Sequence, residues 1–535
     1  MIRLTFFVCL LGFIHTLHSQ SGWLVRYAPG HSRGSLPALS SHLQEAPLYP
    51  GSVWQRWDLG EAPDAALLAR LQGHPAILAL EQEVRFRTQS LPDDPGFAEQ
   101  WALHNTGQTG GPAGVDLRAT DAWSFGTGSA EVTVAVIDAG IDWRHPDLAE
   151  NIWQNLGEDA DGDGSVLVWD GNTWIFDPDD ENGLDDDGNG YTDDFIGWDF
   201  VNDDNDPSDD HFFGHGTHVA GIIAARGNNG IGISGVSWRS QLMPLKFLDA
   251  NGGGFTGDAI AALQYARQMG ADLSNHSWGG GLYSQALRDE LLLAQQAGLL
   301  CVAAAGNNFG NDNDEAPLYP ASYALDNVIA VTASDPVDSL APFANRGFNS
   351  VDLCAPGYGI YSTLPGGDYG FLNGTSMAAP FVTGALALLR SQQPGLTQAQ
   401  LRQRLLRSVR PLPGLHGTCA TEGRLDLLAL VQQPVLFQQS LPGEVNGGAT
   451  LRNGDLLAAG EQQGSLWAAR LRSDGQVAWT RRDQAGRWAA AAAAPAGGGL
   501  LGGQANGQPL LTRLDSLGAP LWTLTLDWGG PAGLT

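Results

Sequence analysis

Ser376 lies in Gly374-Thr-Ser-Met-Ala-Ala-Pro380, directly ahead of an apolar run from Phe381 to Leu389. The run reads as a buried helix, with Pro380 in its first turn, where a missing N–H does least harm. A serine there meets free backbone N–H groups and the positive end of the helix dipole, which favour developing negative charge. The same position suits a simple helix cap. Two further stretches favour chemistry. Val132-Thr-Val-Ala-Val-Ile-Asp138 is an apolar strand ending in a carboxylate, and His215-Gly-Thr-His-Val-Ala-Gly-Ile-Ile opens an apolar helix with an imidazole. A nucleophile, its base and the group that orients the base are built from such hydroxyl, imidazole and carboxylate side chains.

In that chain order, Val136-Ile-Asp-Ala-Gly-Ile-Asp142, His215-Gly-Thr-His218 and the Ser376 motif resemble the subtilisin-like serine proteases, over about residues 91 to 435. The resemblance implies Ser376 as nucleophile, His215 as general base and later acid, and Asp138 as the group that orients the imidazole. It implies an oxyanion hole made of the Ser376 N–H and the side-chain amide of Asn307, which follows Cys301-Val-Ala-Ala-Ala-Gly306. Asn308 is expected to be structural. Ser277-Trp278-Gly279 resembles the family's substrate-binding strand, which pairs with a peptide as an added β-strand. Ala303, Ala304, Ala305 and Gly306 would flank the side chain at the cleavage site, as walls of an uncharged pocket. The rivals are a catalytically inactive scaffold acting as a surface-binding module, and an exopeptidase of the same fold.

Those groups need a scaffold. Apolar strands expected at 132–137, 241–247, 272–276, 299–304 and 327–332 alternate with helices at 215–226, 257–269 and 284–297. This alternation predicts an α/β domain, a largely parallel sheet with helices on both faces, and active groups at the carboxyl ends of strands. The resemblance narrows it to a subtilisin-like three-layer domain. His218 is expected to pack within its helix and Asp142 to serve a turn.

The chain has 535 residues, enough for several domains, and a formal charge of −30, which argues against nucleic-acid binding. Lys246 is its one lysine. Residues 1–20 read as a cleaved secretory signal, and no later segment reaches membrane-spanning length, so a secreted product is expected. Cys9 falls in that signal; Cys301 and Cys354 read as small buried residues, and a disulfide through Cys419 stays open. Residues 21–90 form a small α+β unit that resembles a subtilisin-type propeptide, an inhibitor cut away near residues 87 to 92. An independent N-terminal domain is the alternative.

Residues 158–210 interrupt the α/β pattern with 20 of the 58 acidic residues and no lysine or arginine. Asp159, Asp161 and Asp163 carry oxygens at alternate positions around turn glycines, with Asp170 at the twelfth place of the loop. Asp185, Asp187, Asn189 and Asp194 repeat the pattern. Such spacing lets one loop wrap a calcium ion, which takes six to eight oxygens. A third stretch, with Asp199, Asn202, Asp204 and Asp206, resembles the calcium loop of thermitase-like subtilases. Asp147, in His145-Pro-Asp-Leu148, resembles another family calcium ligand, with simple capping as the alternative.

Beyond residue 435 the composition turns to Gly, Ala, Gln, Leu and Trp. Leu457–Trp479 and Leu500–Trp522 align at a period of 43, matching Gly460 to Gly503 and Trp479 to Trp522. The spacing predicts β-rich repeats over 436–535, as propeller-like blades or a β-sandwich, able to bind some further surface. Ala489–Ala494 reads as a weak helix or a linker.

Overall fold

The computed structural model describes residues 91–432 without a break, with shorter stretches between 22 and 82 and strand segments between 436 and 525. The expected signal, the helix expected at 65–71 (save Leu71) and residues 83–90 lie outside the described residues. The chain divides into two compact units, residues 1–85 with 433–440, and 86–432 with 441–535.

In the first unit, β1 (Gly22–Tyr27), β2 (Gln44–Pro47), β3 (Trp54–Asp58) and β4 (Ile77–Gln82) form an antiparallel sheet. The two-residue strand Leu436–Phe437, β18 in chain order, extends it at β4. Trp23 and Val25 of β1 alternate inward and meet Trp57, Ile77 and Leu80.

The second unit is built on nine strands. In chain order its elements are α1 (Ala119–Ala122), β5 (Thr133–Asp138), a hairpin of β6 (Leu167–Trp169) and β7 (Trp174–Phe176), β8 (Trp198–Asp199) and α2 (His215–Ala224). There follow β9 (Gln241–Lys246), α3 (Thr256–Gln268), β10 (Leu273–His276), α4 (Gln285–Ala297), β11 (Leu300–Ala304) and β12 (Val328–Ser334). Next come β13 (Leu353–Pro356), the β14 (Ile360–Leu364) and β15 (Asp368–Leu372) hairpin, α5 (Thr375–Gln392), α6 (Gln398–Arg407), β16 (Val409–Pro411), β17 (Gly423–Leu425) and α7 (Leu427–Val431). The sheet order is β16-β17-β13-β12-β11-β10-β5-β9-β8, parallel throughout except for the β16–β17 edge pair. The strands and helices expected between 132 and 332 agree with the observed ones to within two residues.

Side-chain alternation makes three layers. Val134 and Val136 of β5, and Leu300, Val302 and Ala304 of β11, face the core that holds α2 and α5. Ala135 and Ile137, with Cys301 and Ala303, face the opposite core with α3 and α4. Helices α2 and α5 lie close because Gly384 has no side chain; a Cβ there would stand 2.7 Å from the Val236 Cβ and 3.0 Å from the Ile223 carbonyl oxygen. After β5 the chain moves to β9 on one side, then crosses to β10 on the other. Such a switch point opens a crevice at the strands' carboxyl ends. Cys301, Cys354 and Cys419 are all buried free thiols, so the disulfide left open at Cys419 is not formed.

The C-terminal strands β19 (Glu444–Thr450), β20 (Leu456–Gln462), β21 (Ser465–Leu471), β22 (Val477–Ala493), β23 (Gly499–Ala505), β24 (Gln508–Leu514) and β25 (Pro520–Thr525) run as one antiparallel meander. The repeat is visible as the β20–β21 hairpin recurring as β23–β24. The alanine run through Ala493 is strand, because β22 pairs with β21 along its first half and with β23 along its second. The pairing overrides alanine's helical preference.

Two buried imidazoles couple this fold to acid. Burial lowers His218 and His276 to about 3, and the Nδ1 of each has no hydrogen-bond partner among the described residues. Between pH 6.5 and about 3 the unfolded chain therefore binds more protons at these sites, so their contribution to stability is lost as pH falls. We predict that His276→Leu loses less stability than the parent between pH 6.5 and 4 in urea unfolding. Equal losses would show that His276 titrates alike in the folded and unfolded chains.

Candidate active site

Asp138 ends β5 at the switch point, fully buried. Its Oδ1 accepts hydrogen bonds from the Ala139 N–H at 2.8 Å and from His215 Nδ1 at 2.7 Å. The contact depends on the residue after the histidine. A Cβ on Gly216 would stand 2.0 Å from the Gly140 carbonyl oxygen, so only glycine lets the start of α2 reach the end of β5. Burial alone would lower His215, but the charge and hydrogen bond of Asp138, with the charge of Asp209, outweigh it and raise the imidazole above its ordinary value. Asp209 was not foreseen from the sequence. Its Oδ2 accepts from the Thr217 N–H and hydroxyl, and burial lifts it to about 6.

Ser376 is the second residue of α5, and Pro380 sits one turn deeper than expected. Lacking an N–H, Pro380 cannot donate to the carbonyl four residues before it, which is that of Ser376. The Ser277 hydroxyl donates to that carbonyl instead, at 2.8 Å, and the Ser376 hydroxyl donates to the Ser277 carbonyl at 3.0 Å. Behind them, Asn275 Nδ2 donates to Ser277 Oγ, and Asn275 Oδ1 accepts from the Thr383 hydroxyl. This polar chain docks strand 277–279 on the serine helix; Asn275 and Thr383 carried no motif signal. Asn307 is held by its oxygen, which accepts from the Thr375 N–H at 2.9 Å and from its hydroxyl. That leaves the exposed amide NH₂ beside Gly374, where a Cβ would stand 3.4 Å from Nδ2. Asn308 packs against Asn345, as the structural expectation requires.

A cleft of about 500 Å³ runs past His215, Ser277, Trp278, Gly279 and the Gly252–Phe255 loop. His211 also lines it, its ring 5.9 Å from that of His215. Trp278 turns inward, its indole N–H donating to the Ile137 carbonyl. Ala303 and Ala304 belong to the two cores and Ala305 to a third cluster, so these side chains do not wall the cleft; at that end β11 offers backbone. Leu318 stands between Gly279 and Gly306: a Cβ on either would come within 2.8 Å and 2.5 Å of its Cδ2.

The expected metal residues separate into distinct environments. Ligand oxygens of Asp159, Asp161 and Asp163 lie within 4.8 Å of one another, as do those of Glu158, Asp185 and Asp187. Asn189 and Asp194 sit beside the second group, with the Asp194 carboxylate accepting from Asn155, Asn189 and Tyr265. Asp170 is not with the first group; its Oδ1 accepts from the N–H groups of Asn172 and Thr173 in the β6–β7 turn. The third loop is occupied from within. Lys246 Nζ lies 2.6 Å from Asp199 Oδ2, which also accepts from Asn202, so a buried ammonium already neutralises that carboxylate. Asp204 accepts from the Asp206 N–H, and Asp206 accepts from the Trp143 indole. Asp142 accepts from the Gly366 N–H, and His218 is packed in its helix, both as expected.

Asp147 is fully buried and does not cap a helix. Its oxygens accept from Asn229 Nδ2, from the Ile233 N–H and from the Tyr369 hydroxyl. Burial raises it to about 6, with the charge of Asp94 adding. Asp94, also buried, accepts from Asn228, Asn229 and Ser234. Among the described residues no lysine or arginine pairs with either. Asp94 lies 53 positions from Asp147 in the chain, which hides the pair from a linear reading.

The profile of the Subtilase family matches residues 129–430. The chain is 36% identical over 331 residues to the Thermophilic serine proteinase of Bacillus sp. (strain AK1), covering 62% of this chain and 69% of that protein. It is 34% identical to Thermitase of Thermoactinomyces vulgaris, covering 64% of this chain and 99% of the relative. It is 36% identical to Subtilisin amylosacchariticus of Bacillus subtilis subsp. amylosacchariticus, covering 64% and 72%. With that profile match over more than half of its length and a nine-stranded, mostly parallel sheet, the chain belongs to the subtilase family.

Proposed function

We propose that this subtilisin-like serine endopeptidase cleaves peptide bonds through an acyl-enzyme on Ser376. His215 takes the hydroxyl proton and returns it to the leaving amine, while Asp138 holds the imidazole in place and stabilises its charged form. The observation that carries this reading is the Asp138–His215 hydrogen bond, with His215 lining one cleft with Ser277, the residue reciprocally bonded to Ser376. For attack, Ser376 Oγ exchanges its bond to the Ser277 carbonyl for one to His215, a tightening common between free and substrate-bound sites. The Asn307 amide and the Ser376 N–H receive the oxyanion, aided by the dipole of α5. A peptide lies along Ser277–Gly279 as an added strand. The side chain at the cleavage site enters between Gly279 and Gly306 over Leu318, which favours an uncharged group.

The N-terminal antiparallel unit acts as this enzyme's own inhibitor, the product is secreted, and the C-terminal meander binds a further surface. Calcium fits between Asp94 and Asp147, two buried carboxylates that share Asn229 and meet no lysine or arginine among the described residues. A bound divalent ion supplies there the positive charge that offsets the cost of burying both anions.

A fluorophosphonate probe is expected to label the enzyme at Ser376, with hydrolysis of peptides blocked at both ends. Ser376→Ala is expected to abolish both and to accumulate uncut precursor. Absence of labelling in the folded mature protein would mark a dead scaffold. Asn307→Leu is predicted to lower kcat roughly 10²–10³-fold with little change in KM, as loss of one transition-state donor does. A change mainly in KM would place Asn307 in ground-state binding. Exhaustive chelation is predicted to lower Tm, with calcium restoring it better than magnesium. At a hundredfold excess over Kd, binding stabilises by about 2.7 kcal/mol. A melting curve indifferent to chelator would remove calcium from this reading.

A further inference from the structure

The two acidic loops of the insertion are folded alike. Asp159 accepts from the N–H groups of Gly162, Asp163 and Gly164; Asp185 accepts from those of Gly188, Asn189 and Gly190. Each loop is also met by a carboxylate from outside it. Glu158 Oε1 accepts from the Asp186 and Asp187 N–H groups at 3.0 and 3.1 Å, and its carboxylate stands within 4.8 Å of those of Asp185 and Asp187. In the first loop the matching N–H groups, those of Ala160 and Asp161, donate to Asp180 Oδ1 at 2.8 and 3.2 Å. Asp180 thus holds the backbone of loop 159–164 as Glu158 holds that of loop 185–190.

The two differ in their second oxygen. Glu158 Oε2 accepts from the Asp193 N–H. Asp180 is fully buried, and its Oδ2 has no hydrogen-bond partner among the described residues. An ionised carboxylate oxygen buried without a donor or cation is costly, and no lysine or arginine lies in the insertion to meet it. Three further carboxylates, those of Asp159, Asp161 and Asp163, converge in the loop whose N–H groups Asp180 holds.

We propose that Asp180 is the fourth carboxylate of a calcium site in the first acidic loop, the place that spacing alone gives to Asp170. The proposal rests on calcium being this enzyme's ion. Hard oxygen donors from an irregular loop suit calcium, whereas magnesium demands near-ideal octahedral geometry. Asp180 follows β7 and the loop precedes β6, so the bound ion ties together both ends of the β6–β7 hairpin.

The test is calorimetric titration of calcium into the full chain carrying Ser376→Ala, which prevents self-digestion. Asp180→Asn should lose one equivalent of bound calcium, while Asp170→Asn keeps the parent's stoichiometry. In chelator, Asp180→Asn should melt no lower than the parent, because it removes an unpartnered buried charge; in calcium it should gain less. An unchanged stoichiometry in Asp180→Asn, or a lost equivalent in Asp170→Asn, overturns the proposal. A parent that binds no calcium sinks the wider calcium reading instead. Should the variant not fold, terbium-soaked crystals of the Ser376→Ala chain decide: an ion about 2.3–2.6 Å from Asp180 Oδ2 supports the assignment, and none there refutes it.

Discussion

The architecture depends on one close approach, the carbonyl of Gly140 against the α-carbon of Gly216. It brings the first residue of α2 to the last residue of β5 and gives Asp138 and His215 their 2.7 Å hydrogen bond. A strand end and a helix start can meet this way only where the sheet switches direction, between β5 and β10. The sheet must therefore be parallel there, its crossovers must lie on both faces, and the helices must sit low enough to need small residues at their crossings. Gly384, between α2 and α5, is the same requirement met again deeper in the core.

Pro380 shows how a local defect becomes an anchor. A proline inside a helix leaves one carbonyl without its donor, ordinarily a cost. Here that carbonyl belongs to Ser376, and the hydroxyl that answers it comes from Ser277 on the strand expected to hold substrate. Ser376 and the Ser277–Gly279 segment are thus located by the same pair of reciprocal bonds, with Asn275 and Thr383 fixing them from behind.

The features legible in the sequence are those written locally. Strand and helix periods, the three motifs around Asp138, His215 and Ser376, and the paired acidic loops all concern residues within a few positions of each other. What escaped is written across the chain. Asp180 meets a loop twenty residues before it, Asp94 meets Asp147, and Lys246 meets Asp199, none of them with a spacing that marks them as partners. Asp170 was favoured by counting along the loop, but its oxygen serves a hairpin turn. The family resemblance likewise implied pocket walls at Ala303–Ala305, whose side chains pack into buried clusters instead. The alanines of β22 read as helix or linker because strand pairing, which decides their state, lies outside any window of sequence.

Lys246 carries a consequence of a practical kind. It is the one lysine of the chain, and its side chain is 2% exposed, enclosed against Asp199 and near Asp210. Reagents that acylate amines find no accessible ε-amino group on the folded enzyme. Coupling to an activated-ester surface or dye would therefore find no lysine side chain to attach through.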